Sequence, residues 1–300
     1  MGALATLRES KVIHAHSGPV QSVAFGPDAN VFATGDTHRN AKVWIDGRSV
    51  YDFDLTSRQD KVRPTERIRG LVFSPTGHVL YAACGDKLQA LCLTTGDVRW
   101  SYRPPRNFGF LIVSPMAIGV SSQGEIAVAT DAGRMSVWTP AGALKSHWWD
   151  NDSPRMLAFI NCERIVGTDS FSVCSWKSNT GRKHDRRKLT ERAFGFAATP
   201  DGSRLCFRSI HRIDVVNGAT NEIVESLPVD FGPPLVAISP DGSRVAHGGI
   251  NQVSVNTIGS ERSQRLLVSG ASPRSLRFTP DGASIVAGCS DGTLRFWDVR

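Results

Sequence analysis

The chain has 300 residues, a formal net charge of +7 at neutral pH and 40% hydrophobic residues. That apolar share suffices for a sizeable core, while the mild positive excess favours solubility without establishing nucleic-acid binding. No apolar run is long enough to span a bilayer or to form the core of a signal peptide, so a cytoplasmic protein is expected.

Taken in order, the sequence repeats one pattern of short alternating runs and tight turns. The first unit has Gly18–Phe25, the turn Gly26-Pro27-Asp28, then Val31–Gly35, Ala41–Ile45 and Ser49–Phe53. The second runs through Gly70–Phe73, Val79–Cys84, Lys87–Leu93 and Val98–Tyr102. A proline-bearing insertion, Arg103 to Pro115, precedes the third, which has Ala117–Ser121, Glu125–Thr130, Met135–Trp138 and the strand that ends Trp148-Trp149. The fourth uses Met156–Ile160, Arg164–Thr168 and Phe171–Trp176, followed by a strongly basic run. The fifth, sixth and seventh carry Pro-Asp-Gly turns at Pro200, Pro240 and Pro280.

Aligned third strands place Trp44, Leu91, Trp138, Trp176, Val216, Val255 and Trp297 at one recurring position. Their spacing of roughly forty residues is that of one four-stranded sheet per repeat. The predicted fold is therefore all-β, a seven-bladed β-propeller of four-stranded antiparallel blades over residues 1–300. The blades are expected near 17–54, 67–102, 116–149, 153–189, 192–228, 233–268 and 272–300. The last blade lacks a fourth strand. The alternating segment 6–14 (Leu7, Val12, Ile13) is predicted to supply it, tying the two chain ends together.

Ser290-Asp291-Gly292-Thr293-Leu294-Arg295-Phe296-Trp297-Asp298, and more weakly Trp44-Ile45-Asp46, resemble the third-strand signature of the WD-repeat (WD40) β-propeller family. The Pro-Asp-Gly turns look like those of its bacterial seven-bladed members. Val216 and Val255 stand where that family often has Trp, and its Gly-His before the first strand is approached only by His16-Ser17-Gly18. Apolar packing is thus expected to replace much of the family's buried His–Ser/Thr–Asp–Trp bonding. The resemblance implies a non-catalytic scaffold, monomeric by itself, which binds one or more proteins or peptides across its top face and holds no cofactor.

The candidate partner-binding residues are the cations of the loops on that face: His38, Arg39, Arg69, Lys87, Arg134, Arg155, Arg192, His211, Arg212 and Arg274. Guanidinium groups there suit carboxylates or phosphates. Asp36, Asp86, Asp131, Asp169 and Asp291 share these loops and partly cancel the charge. Of the adjacent pair Trp148 and Trp149, alternation along a strand must send one to each face.

Two other functions are weighed. The basic run with Arg182, Lys183, Arg186, Arg187 and Lys188 could bind RNA or another polyanion. By register it is an outer strand, where lysine and arginine protect an exposed sheet edge, and no aromatic residues interleave it as a stacking platform would need. A hydrolase- or lactonase-like enzyme with its site at the central channel would need converging acids or histidines. The sequence has no GxSxG, HExxH or GxxxxGK[ST] motif. His14 and His16 share a strand face without a third ligand at a fixed relation, and Thr95-Gly96-Asp97-Val98-Arg99-Trp100 is a single copy of a quinoprotein-like pattern. The six cysteines form no CxxC pair and fall mostly in apolar runs, as free thiols in a reducing compartment would.

Overall fold

The computed structural model describes residues 5–55, 67–104, 115–150, 154–169, 171–249 and 251–299. Most of the insertion from Arg103 to Pro115 lies outside these. The described residues hold twenty-nine strands and no helix, so no helix is long and apolar enough to cross a membrane. The strands form seven sheets, six of four strands and one of five. The fold is an all-β seven-bladed propeller with four-stranded antiparallel blades. Its residues divide into two compact units, Met1–Val23 with Thr190–Arg300, and Ala24–Leu189.

Turn chemistry sets the hairpins. In the first unit, Thr199, Ser239 and Thr279 each precede Pro-Asp-Gly. The hydroxyl of Thr199 donates to Asp201 Oδ1 at 2.6 Å, that of Thr279 to Asp281 Oδ1 at 2.6 Å, and that of Ser239 to Asp241 Oδ1. The same carboxylate oxygens accept the backbone N–H groups of Ser203, Ser243 and Ala283 at 2.9–3.0 Å. Gly202, Gly242 and Gly282 turn the chain with φ of 67–70°, a region that is cheap only for glycine.

Packing follows the two faces of each sheet. In the second unit, Leu71, Phe73, Leu80 and Leu91 of the second blade bury against Ala33, Val43 and Phe53 of the first. The Tyr102 ring of the second blade packs at a tilt of 49° against Trp138 of the third, with centroids 4.2 Å apart. In the first unit, Val253, Val255 and Leu266 of the sixth blade meet Leu276, Ile285 and Trp297 of the seventh.

Trp44, Trp138, Trp176 and Trp297 are all buried at the shared third-strand position. Their indole nitrogens differ in partner, and three of the four make a hydrogen bond. Two residues beyond the one paired with the tryptophan stands Thr34 in blade one, which accepts from Trp44 Nε1 at 2.9 Å. Blade seven has Ala287 there, and Trp297 Nε1 makes no hydrogen bond. Blade four has Gly167, and Trp176 Nε1 donates to Asp150 Oδ2 at 2.7 Å. In blade three Trp138 Nε1 donates to Ser136 Oγ at 3.0 Å.

The register corrects one aligned position. Val253 and Val255 face blade seven, so the residue of blade six equivalent to Trp44 is Asn256, paired with Val245, and not Val255. His247 then stands at the place of Thr34.

The N-terminal segment is also divided differently. Lys11–His14 pairs antiparallel with Thr293–Asp298 and completes the last blade, as expected. Ala5–Leu7 instead pairs in parallel with Ser263–Leu267 and adds a fifth strand to blade six. The break falls at Arg8-Glu9-Ser10, because Glu9 is drawn to the loops: its Oε1 accepts from Arg295 Nη1 at 2.6 Å and from Ser269 N at 3.1 Å.

Candidate docking site and polar slot

Blade five brings three of the expected residues together. Its entry loop holds Thr190, Glu191 and Arg192, its second-to-third loop His211 with Arg212 opening the third strand, and its exit loop Asp230 and Phe231. Arg212 donates to the Thr190 hydroxyl and forms an ion pair with Asp214 at 3.2 Å. A hydrogen bond from the Ser209 side chain, helped by Arg212 and His211, holds the Glu191 carboxyl below its ordinary range. Val229 N donates to His211 O at 2.9 Å, and Phe194 N to Arg208 O at 2.8 Å, so the three loops are bonded to one another.

Large apolar side chains remain exposed on all three loops. Phe231 is 73% exposed, Ile210 41% and Phe194 38%. The Arg192 guanidinium carbon lies 5.0 Å from the Phe194 ring centroid, a cation–π distance. The surface therefore combines aromatic tips with guanidinium and imidazole groups.

The other expected residues are spread out. Arg274 is exposed at the start of blade seven. In the second unit, His38 and Arg155 are exposed, and Arg69, Lys87 and Arg134 are half-buried. Arg39 is buried, with a left-handed φ of 71°, and shapes its turn. Trp148 packs inward with the blade three–four core, and Trp149 is 56% exposed on the opposite face.

The basic run is the outer strand Lys183–Lys188 of blade four. Lys183 pairs with Asp150 at 3.0 Å, and Arg186 Nε donates to Ser172 Oγ at 3.3 Å. Arg182 and Lys188 are exposed. Among the described residues, no group of three or more His, Cys, Asp or Glu side chains is placed to hold a metal ion.

A slot that sequence reading missed lies beside the blade-five loops. It has a volume of about 350 Å³, walled by Pro228–Asp230 of blade five and by His247, Ser254, Asn256 and Arg265 of blade six. Asn256 forms part of its wall. Where four blades insert an indole, blade six has this short amide, and the slot's other lining groups are mostly polar. Deeper in, Val245 and Ile238 meet Ile213 and Val215 in an ordinary apolar core.

Arg208 stands behind this wall. It lies three residues beyond the one paired with the Trp position, where the other blades have Gly35, Ala83, Ala129, Thr168, Gly248 and Gly288. The guanidinium is 1% exposed and donates Nη2 to the Asp230 carbonyl at 3.2 Å, leaving Nη1 without a partner. Burial lowers its pKa. His247 is 8% exposed, and its pKa is pushed down to about 4, first by burial and then by Arg208. Gly248, Asp230 and Asn256 pull the other way. The imidazole is therefore neutral at pH 7. His247 Nδ1 and Asn256 Oδ1 make no hydrogen bond of normal geometry.

No curated protein matches the chain. The WD40 family model, described as WD domain, G-beta repeat, matches residues 7–44 and 267–298. These are the first repeat, entered through the strand that completes the last blade, and the last repeat itself. Two repeat matches at the ends of a chain folded as a seven-bladed propeller support its assignment to the WD-repeat family.

Proposed function

We propose that the protein is a non-catalytic scaffold that docks a protein or peptide segment on the loops of blade five. The observation that carries this reading is the exposure of Phe194, Ile210 and Phe231 on three loops bonded to one another. Exposed aromatic groups beside arginine are the composition of interface hot spots. A rigid blade holds them at fixed positions, so little ordering entropy opposes binding. The chain's net charge of +7 favours an acidic partner segment.

The test is affinity capture from the native cell with wild-type protein and the Phe231→Ala, Ile210→Ala and Arg212→Ala variants. A protein recovered with the wild type should be lost with Phe231→Ala, since a central aromatic commonly contributes about 2 kcal/mol or more. A partner retained by all three variants would place docking elsewhere. Polyanion binding through Arg182, Arg187 and Lys188 remains a separate proposal, and it requires an affinity that falls steeply with salt.

A further inference from the structure

We propose that the slot between blades five and six is a carboxylate-binding subsite, which takes an acidic side chain of the docked segment against Arg265 and His247, with the buried Arg208 behind its wall. The proposal rests on the docking reading only for the source of that carboxylate.

Three observations support it. First, Asn256 lines the slot at the position where four other blades bury an indole, and about 350 Å³ accommodates a single carboxylate side chain. Second, Arg208 is a fully buried cation that makes no ion pair among the described residues, and it bonds the carbonyl rather than the carboxylate of Asp230. A buried charge is costly unless an opposite charge compensates it. An anion in the slot would do so across one wall. Third, His247 lines the slot beside Asn256, and its enclosed Nδ1 makes no hydrogen bond of normal geometry. Its neutral ring can donate one N–H to an incoming oxygen, and the approach of an anion favours its protonated form.

The charged groups around the His247 ring are Arg208 from the second strand of blade five, Asp230 from its exit loop and Arg265 from the outer strand of blade six. Asp230 opposes an anion. This gives the subsite a directional signature: removing that carboxylate must strengthen binding, whereas a generally polar cavity would be indifferent.

The experiment is an NMR titration of the whole protein with N-acetyl-glutamyl amide and, separately, its glutamine analogue, following the His247 ring signal. The glutamyl probe should shift that signal saturably, at least tenfold more tightly than the glutaminyl probe. Arg265→Gln should weaken it severalfold, Asp230→Asn should tighten it, and Asn256→Phe should abolish it by filling the slot. Asn256→Phe restores an aromatic group that other blades bury at this position, and an unchanged far-UV spectrum will show that it folds. Equal binding of both probes, or glutamyl binding that survives in Asn256→Phe, would overturn the proposal. Phe231→Ala should leave probe binding intact. Loss of carboxylate selectivity with Phe231-dependent partner capture retained therefore sinks the subsite alone, and the reverse outcome sinks the docking reading alone.

Discussion

Arg295 donates from Nη1 to Glu9 Oε1 at 2.6 Å, joining the third strand of the last blade to a residue 286 positions earlier. Both side chains are largely buried, and Asp291 takes the other guanidinium nitrogen at 2.9 Å. The contact fixes the N-terminal segment between its two strand pairings. Breaking a buried ion pair commonly costs about 3–5 kcal/mol. Because Asp291 remains, Glu9→Ala should cost about 2 kcal/mol in urea unfolding. Deleting residues 5–14 should cost more, since it also exposes the edges of blades six and seven. An unchanged unfolding midpoint after that deletion would show that these pairings add no stability.

Among the described residues, Thr34 is the only hydroxyl that accepts from a tryptophan at the recurring second-strand position. Replacing it with valine preserves volume and leaves the buried Trp44 Nε1 unpaired. The expected loss is about 1–3 kcal/mol. Ala287→Val, beside the already unpaired Trp297, should show no hydrogen-bond penalty. Urea unfolding of the two variants separates that penalty from the effect of added or altered volume.

The Asp241 carboxyl is held down to about 2, chiefly by the Ser239 hydroxyl. An unfolded aspartate titrates near pH 4. Its folded pKa is depressed, so the stabilisation it brings is fully present above about pH 4 and is lost as pH falls towards 2. Asp201 is lowered in the same direction by Thr199. Asp241→Asn should be less stable than wild type at pH 7, with a smaller further loss on acidification. Parallel pH–stability curves for the two proteins would contradict this assignment.

All six cysteines are free thiols, and their environments differ. The Thr95 side chain and backbone lower the Cys92 thiol to about 7. Burial raises Cys289 to about 11 and Cys206 further still. Alkylation at neutral pH, read by mass spectrometry, should modify Cys92 well before Cys206 and Cys289. Thr95→Val should slow it several-fold. Initial modification at either buried thiol would contradict the assigned environments.

The fold was legible because its signals are local. Thr-Pro-Asp-Gly prescribes a turn, and Trp44, Trp138, Trp176 and Trp297 announce a buried third strand wherever they occur. Blade six lacks that marker, so alternation alone selected Val255. Only the pairing of Asn256 with Val245 shows which face each residue takes. The slot was hidden by the same slip. One sign of it was present in the sequence: Arg208 ends the fifth repeat's second strand where other repeats have small residues. Its burial became apparent only with Asp230 and Gly232 folded over it. Similarly, loop cations could be read from the chain, but which of them meet could not. The bonding of Thr190, Ser209, His211 and Val229 unites Arg192 and Arg212 while leaving Arg274 apart.

The most direct test of the docking account is hydrogen exchange on the protein with and without its captured partner. The account predicts new protection confined to residues 190–194, 208–212 and 229–235, reduced in Phe231→Ala. Protection centred on residues 182–188, with these three loops unchanged, would contradict it.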